Sequence, residues 1–337
     1  MRCPRLKELP DPPWGKVGWP WTEESTPLQD SMPDGEEWPR VSIVIPSFNQ
    51  EQFIEETIRS ILLQGYPNLE CLVIDGGSTD NSVEVIKKYS PWLSYWVSEP
   101  DAGQSDAINR GLKMASGDFA TWINSDDMLC KNALGDHASQ IGFDVNTVYV
   151  GFCVYIGQDE KPVSSHRGSV FSLEDLVRIK TVWRSEERKG HIDQPAVLFP
   201  RALALSVGGL NIDNHYTMDY ELWGMLFLAG ANFQYTDVPF GMFRRHQEQK
   251  THNTLRQTRF LIATAAKLIT LADDFSEAAK KELLSDLDAY LNQYKNNYWK
   301  ETGRLARMGL PVPLVAGVRR LRAAFQKFQV IEPSSKT

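Results

Sequence analysis

Val41-Ser42-Ile43-Val44-Ile45-Pro46-Ser47-Phe48-Asn49-Gln50 begins as a β-branched run and ends in small and polar residues. Val41 to Ile45 suits a buried strand, closed by Pro46. Ile54, Ile58, Ile61 and Leu62 follow at the spacing of one helix face. The unit then repeats. Cys71 to Ile74 reads as a second strand and Ser78 to Tyr89 as a second helix. Leu93 to Ser98 reads as a third strand, with Ile108, Leu112 and Ala115 on one face of a third helix, and Phe119 to Ile123 as a fourth strand. Strands that alternate with helices need crossover connections, so the expected fold is an α/β, Rossmann-like, mostly parallel sheet with helices on both faces. Such sheets bind ligands beyond the carboxyl ends of their strands. Those ends are all polar or small here: Ser47 to Asn49, Asp75 to Ser78, Glu99 to Asp101 and Asn124 to Asp127.

Outward from this block the pattern changes on both sides. Residues 1–40 hold eight of the 19 prolines together with Trp14, Trp19, Trp21 and Trp38, and show no helical or strand period. An extended arm that lies on the folded body and buries those rings is expected. In the second half, Val148 to Ile156 and Ala196 to Phe199 read as strands, Ser172 to Asp175 as a capping box, and Met218 to Ala229 as a helix. Long helices are expected near Arg256 to Leu271 and Ser276 to Trp299. The organisation is thus an arm at 1–40, an α/β domain at 41–251 and a helical extension at 252–337.

The net charge of −7 over 337 residues argues against nucleic acid as a partner. Cys3, Cys71, Cys130 and Cys153 are widely spread without zinc-ligand spacing, so reduced thiols are expected, Cys71 and Cys153 as apolar filler. No apolar h-region follows the charged, proline-rich start, and no stretch is apolar enough to span a membrane. A cytoplasmic protein is the expectation. The basic, apolar segment Leu310 to Phe328 suits an amphipathic helix, docked either on the protein itself or peripherally on the inner face of the membrane.

Four features carry candidate chemistry. Asp126 and Asp127, after the fourth strand, can hold a hard divalent cation that bridges a diphosphate, or can serve as an ordinary cap and turn. Asp75-Gly76-Gly77-Ser78-Thr79-Asp80 offers free amides and a carboxylate to a nucleotide, or is a plain β-to-α turn. Asp219, in the first turn of its helix, is a cap or a general base, with Glu221 as competitor. Arg244-Arg245-His246, continuing to Lys250-Thr251, is a basic cluster that can close over a diphosphate, with His246 within reach of a metal, or is a solvated loop.

Taken together these motifs resemble family 2 glycosyltransferases. Residues 41–50, Ile74 to Asp80, Ser98 to Gly111 and Gly117 to Asp127 follow the family in order and spacing. The likeness continues through His191 to Ala196, Val207 to Leu210, Met218 to Trp223 and Arg245 to Thr251. It implies a GT-A fold, a UDP-, GDP- or dTDP-sugar donor, Mn2+ or Mg2+, and inversion at the anomeric carbon. It further implies that Pro46, Ser47 and Asn49 flank the nucleotide and that Asp75 approaches the base or ribose. Gln104 and Asp106 would contact the donor, Asp127 and Asp126 the metal, and Asp219 would be the base. A saccharide or lipid-linked acceptor, in polysaccharide or glycolipid biosynthesis, goes with that family. Two positions depart from it: Gly76 stands where many members carry a second acid, and Met218 where the Glu-Asp motif has its Glu. The alternatives are a nucleotidyltransferase, which lacks support from the non-glycine-rich Pro46 to Gln50, and a non-catalytic nucleotide-sugar-binding protein.

Overall fold

Alternate side chains of the first strand meet different helices, and this fixes the layering. The computed structural model describes residues 3–157, 161–179, 191–246 and 254–307. Strand β1 (Val41–Ser47) is buried along its whole length and lies between parallel β2 (Leu69–Asp75) and parallel β4 (Phe119–Trp122). Strand β3 (Tyr95–Ser98) flanks β2, also parallel. Ile43 and Ile45 join Ile54, Ile58 and Ile61 of α1 (Ile54–Leu62) in one apolar cluster. Val44 points the other way, towards α3 (Gln104–Met114), where a Cβ on Gly111 would fall 2.4 Å from a Val44 methyl. Helices therefore cover both faces, as the repeat predicts. Helix α2 (Ser82–Tyr89) starts four residues later than expected, because Ser78 and Asp80 are engaged in loop hydrogen bonds that precede it.

Beyond β4 the sheet changes direction. Strand β8 (Val197–Pro200) joins β4 antiparallel, β6 (Thr147–Ile156) joins β8 antiparallel, and β9 (Asn232–Arg244) runs parallel to β6. The order is β3-β2-β1-β4-β8-β6-β9-β5, with β5 (Met128–Leu129) closing the far edge and β7 (Pro162–His166) paired to β6. The pairing of β6 with β9 shifts register on either side of Phe152, next to Pro239 and Gly241. At Gly241 a Cβ would sit 2.2 Å from the Pro195 carbonyl, so only glycine lets this strand pass the loop before β8. Short helices α4 (Ala133–Gln140), α5 (Leu173–Val177) and α6 (Arg201–Ser206) fill the connections. Ser172 caps α5 as read, accepting the Asp175 N–H at 3.0 Å.

Beyond the acidic residues of its first turn, helix α7 (Met218–Leu228) is apolar all round and is accordingly covered on several sides. Trp223 stacks on Trp122 of β4 with ring centroids 5.8 Å apart, and Gly224 admits Leu268 of α8 (Thr254–Leu271). The last described helix is α9 (Glu277–Arg307). The described residues divide into two compact units, one ending at Leu283 and the other beginning at Leu284. No described helix is long and apolar enough to cross a membrane. The segment Leu310 to Phe328, read as an amphipathic helix, lies outside the described residues, as do Gln247 to Thr251.

The arm packs on the body, with one correction. Trp21 and Trp38 are buried and Trp19 partly so, but Trp14 is fully exposed. Its anchor is Arg59 of α1, wholly buried, which donates to the carbonyls of Pro10, Pro20 and Trp21. Cys3, Cys71, Cys130 and Cys153 are all buried free thiols.

Candidate active site

The register of β1, β2 and β3 puts Ser47, Asp75 and Ser98 side by side at their carboxyl ends. Asp75 is completely buried there and accepts from the Ser47, Ser78 and Ser98 hydroxyls at 2.9, 2.5 and 2.7 Å and from the Gly77 and Ser78 amides. Its carboxylate thus shapes the loop that a nucleotide would meet. Pro46 is buried in β1, while Asn49 sits exposed at φ 53° and accepts the Thr79 N–H at 2.8 Å, tying the first two strand-end loops together. A Cβ on Gly76 would lie 2.8 Å from an Asp101 carboxylate oxygen. The acid absent from position 76 has its space occupied by Asp101, a replacement that no local sequence signal announces.

At the end of β4 the turn Asn124 to Asp127 is pinned from three sides. The Thr57 hydroxyl of α1 reaches the Asp127 and Ser125 carbonyls at 2.7 and 3.0 Å. The Gln104 amide donates to Asn124 at 2.6 Å, and the Gln194 amide donates to the Trp122 carbonyl at 2.6 Å. Asp127 is buried and accepts the Arg244 backbone N–H at 3.0 Å and the Asn124 amide at 3.1 Å. Arg244 directs its Nε to the Asp126 carbonyl at 3.1 Å, and its guanidinium is held by Glu56 at 2.5 Å. Burial, followed by the Asp126 charge, pushes the Asp127 carboxyl well above the usual carboxylate range. His246 Nε2 lies 2.9 Å from an Asp126 carboxylate oxygen, with its ring against Phe53.

Two adjacent carboxylates, one deeply desolvated, suit a hard divalent cation such as Mn2+ or Mg2+, while the imidazole is the softer donor of the three. Among the described residues no group of three or more His, Cys, Asp or Glu side chains is arranged to hold a metal on its own. Hard cations of this kind take part of their coordination from phosphates and water, so Asp126, Asp127 and His246 fit as a partial ligand set. Arg245 is exposed and places its guanidinium over the Tyr155 ring, 4.4 Å from the centroid.

Asp219 stands in the first turn of α7, next to Met218. The Ser105 hydroxyl contacts the Met218 sulfur at 2.8 Å, one residue from the Gln104 that touches Asn124. The start of α3 thereby joins the acidic turn to the start of α7. Asp219 accepts its neighbour's N–H at 2.8 Å, and burial raises its pKa from 3.8 to about 6, with Asp193 adding to the effect. Glu221 points elsewhere. It is held by Lys267 at 2.6 Å and by the Asn211 and Asn214 amides, which outweigh burial and keep its pKa low. The Asp106 carboxylate turns back to accept the Ala102 N–H, closing the loop before α3.

The structure adds a cluster to which the motifs assigned no chemistry. Asp193 accepts from Tyr155 Oη at 2.5 Å and lies 2.5 Å from His166 Nδ1 and 2.8 Å from His191 Nε2. These partners overcome the effect of burial and hold its pKa below the usual value. Gln194, the next residue, reaches Asn124 at 3.5 Å.

Residues 42–201 match the family model described as glycosyl transferase family 2. Over those residues the chain is similar to that family. The chain is 27% identical over 229 residues to an uncharacterized glycosyltransferase of Rickettsia typhi, covering 65% of this chain and 68% of the relative. Its fold is of the GT-A type. S. aureus TarS 1–349 in complex with UDP-GlcNAc superposes with a TM-score of 0.54 at 20% identity, covering 74% of this chain and 71% of that one. The mannosyltransferase PcManGT from Pyrobaculum calidifontis, in complex with GDP-Man and Mn2+, also gives 0.54 at 22% identity, covering 88% and 82%.

Proposed function

We propose that this protein moves a hexosyl group from a nucleotide sugar to an acceptor hydroxyl with inversion, Asp219 acting as the base. The observation that carries this reading is the chain of contacts from Asn124 to Gln104 and from Ser105 to Met218, which links an acid pair with one buried carboxyl to a single carboxyl raised to about 6. A base poised there is ionised at neutral pH yet still takes a proton readily. A cation held by Asp126, Asp127 and His246 would supply charge neutralisation to the diphosphate. The protein groups do the rest. The Ser47, Asn49 and Ser78 loop and Asp101 receive the nucleotide, Gln104 and Asn124 fix the acidic turn, and Asp219 orients the acceptor hydroxyl and accepts its proton. The oxygen–carbon bond to the acceptor forms as the anomeric carbon–phosphate oxygen bond breaks, leaving a nucleoside diphosphate. UDP-GlcNAc and GDP-Man, bound by the two solved relatives, are the donors to test first. A saccharide or lipid-linked acceptor is the substrate class proposed with them.

Incubation of the protein with Mn2+, each donor and an acceptor panel is expected to release nucleoside diphosphate. Proton NMR of the product should show the inverted anomer. Asp219→Asn should lower turnover by about 10²–10⁴-fold with donor affinity nearly unchanged. Release of pyrophosphate would point to nucleotidyl transfer, and retained turnover in Asp219→Asn would remove this base assignment.

A further inference from the structure

An indole of the N-terminal arm is wired to the acidic turn across most of the sequence. Trp21 is 3% exposed, and its Nε1–H donates to Glu56 Oε1 at 3.2 Å. The other oxygen of Glu56 holds the Arg244 guanidinium at 2.5 Å, in an ion pair whose side chains are 3% and 4% exposed. Arg244 in turn touches both halves of the acid pair, through Nε to the Asp126 carbonyl and through its own N–H to the Asp127 carboxylate. Its guanidinium also lies over the Phe53 ring, 5.0 Å from the centroid, and that ring packs against His246.

Buried ion pairs are sensitive to the groups that complete them, because a low-dielectric site strengthens each bond and penalises any that is lost. The orientation of a guanidinium follows the carboxylate plane to which it is paired. A rotation of Glu56 therefore moves the guanidinium of Arg244, which contacts Asp126 from the end of β9. The indole N–H fixes that plane from the opposite oxygen.

We infer that Trp21 is a positioning residue for the cation and diphosphate site, acting through Glu56 and Arg244, so that the arm is part of the donor-binding machinery as well as a cover for α1. The inference rests on the reading of Asp126 and Asp127 as cation-holding residues. A purely structural role for the arm makes a different prediction, and Trp38 supplies the comparison. It is 8% exposed in the same arm, but its indole donates to the Gln29 carbonyl at 2.8 Å and makes no link to Glu56 or Arg244.

Free Mn2+ measured by electron paramagnetic resonance, titrated alone and with UDP or GDP, tests the two indoles against each other. Trp21→Phe keeps the ring and loses the N–H; it is expected to weaken Mn2+ binding about three- to tenfold, as loss of one supporting hydrogen bond does. Glu56→Gln should weaken it at least as much, and Trp38→Phe should leave it at the wild-type value even if both Phe variants melt earlier. In 1H–15N spectra of the wild-type protein the Trp21 indole signal should shift on adding Mg2+ with UDP or GDP while that of Trp38 stays, since coupling between two sites acts in both directions. Wild-type Mn2+ affinity in Trp21→Phe, equal losses in both Phe variants, or a Trp21 signal indifferent to ligand would overturn the inference alone. A wild-type protein that binds no Mn2+ would remove the cation reading and this inference together.

Discussion

Asp219, the proposed base, carries a cost in stability. Its folded carboxyl titrates near 6 against 3.8 for a free one, so the folded state holds the proton more tightly. Stability from this group is therefore highest at acid pH and is lost as pH rises from about 4 through 6. Asp219→Asn, which cannot ionise, should melt higher than the wild type at pH 8, by on the order of 2 kcal/mol, and the gain should fade towards pH 4. Activity runs the opposite way. kcat/KM of the wild type should fall below a pH of about 6 as the base is protonated, an acidic limb that initial-rate measurements between pH 5 and 8 will show. Asp101 offers a second test at this scale. With its carboxylate in the space beside Gly76, Asp101→Ala should raise KM for the donor roughly tenfold while changing kcat little, read in donor-saturation curves.

At the scale of elements, the clamp between α7 and α8 separates the two acids of one helix. Glu221, tied to Lys267, Asn211 and Asn214, should matter for folding and not for proton transfer. Glu221→Gln is expected to cost about 1–2 kcal/mol in urea unfolding and to leave the acidic limb of the rate profile in place. The first four strands and three helices were legible because each is local: an apolar period of two or 3.6 shows in any window that contains it. Strand β9 was not. Pro239 and Gly241 are ill suited to a strand interior, yet they sit where β9 shifts register against β6 and passes the Pro195 carbonyl, a fact fixed by residues far away in the chain. The same distinction holds in the site. Asp127 and Asp219 announce themselves through short motifs, whereas Asp101 at the Gly76 gap and Asp193 among Tyr155, His166 and His191 acquire their surroundings only when separate strands meet.

At the level of the sheet, the parallel half presents the loops proposed to meet the nucleotide, and the other half delivers Arg244, His246 and Gln194 to the acidic turn. A ligand that bridges the two halves binds the folded chain alone and must raise its melting temperature. Mn2+ with UDP or GDP at 100 times the dissociation constant should add about 2.7 kcal/mol, seen as a thermal shift that Asp127→Ala abolishes. The four buried thiols add a practical property. Cys3 lies in the arm, Cys71 in β2, Cys130 just beyond β5 and Cys153 in β6, so each sulfur is a native reporter on a different part of the architecture. An alkylating reagent followed by mass spectrometry would count opening events site by site, timing detachment of the arm separately from rupture of the sheet, in the natural chain and without any introduced label.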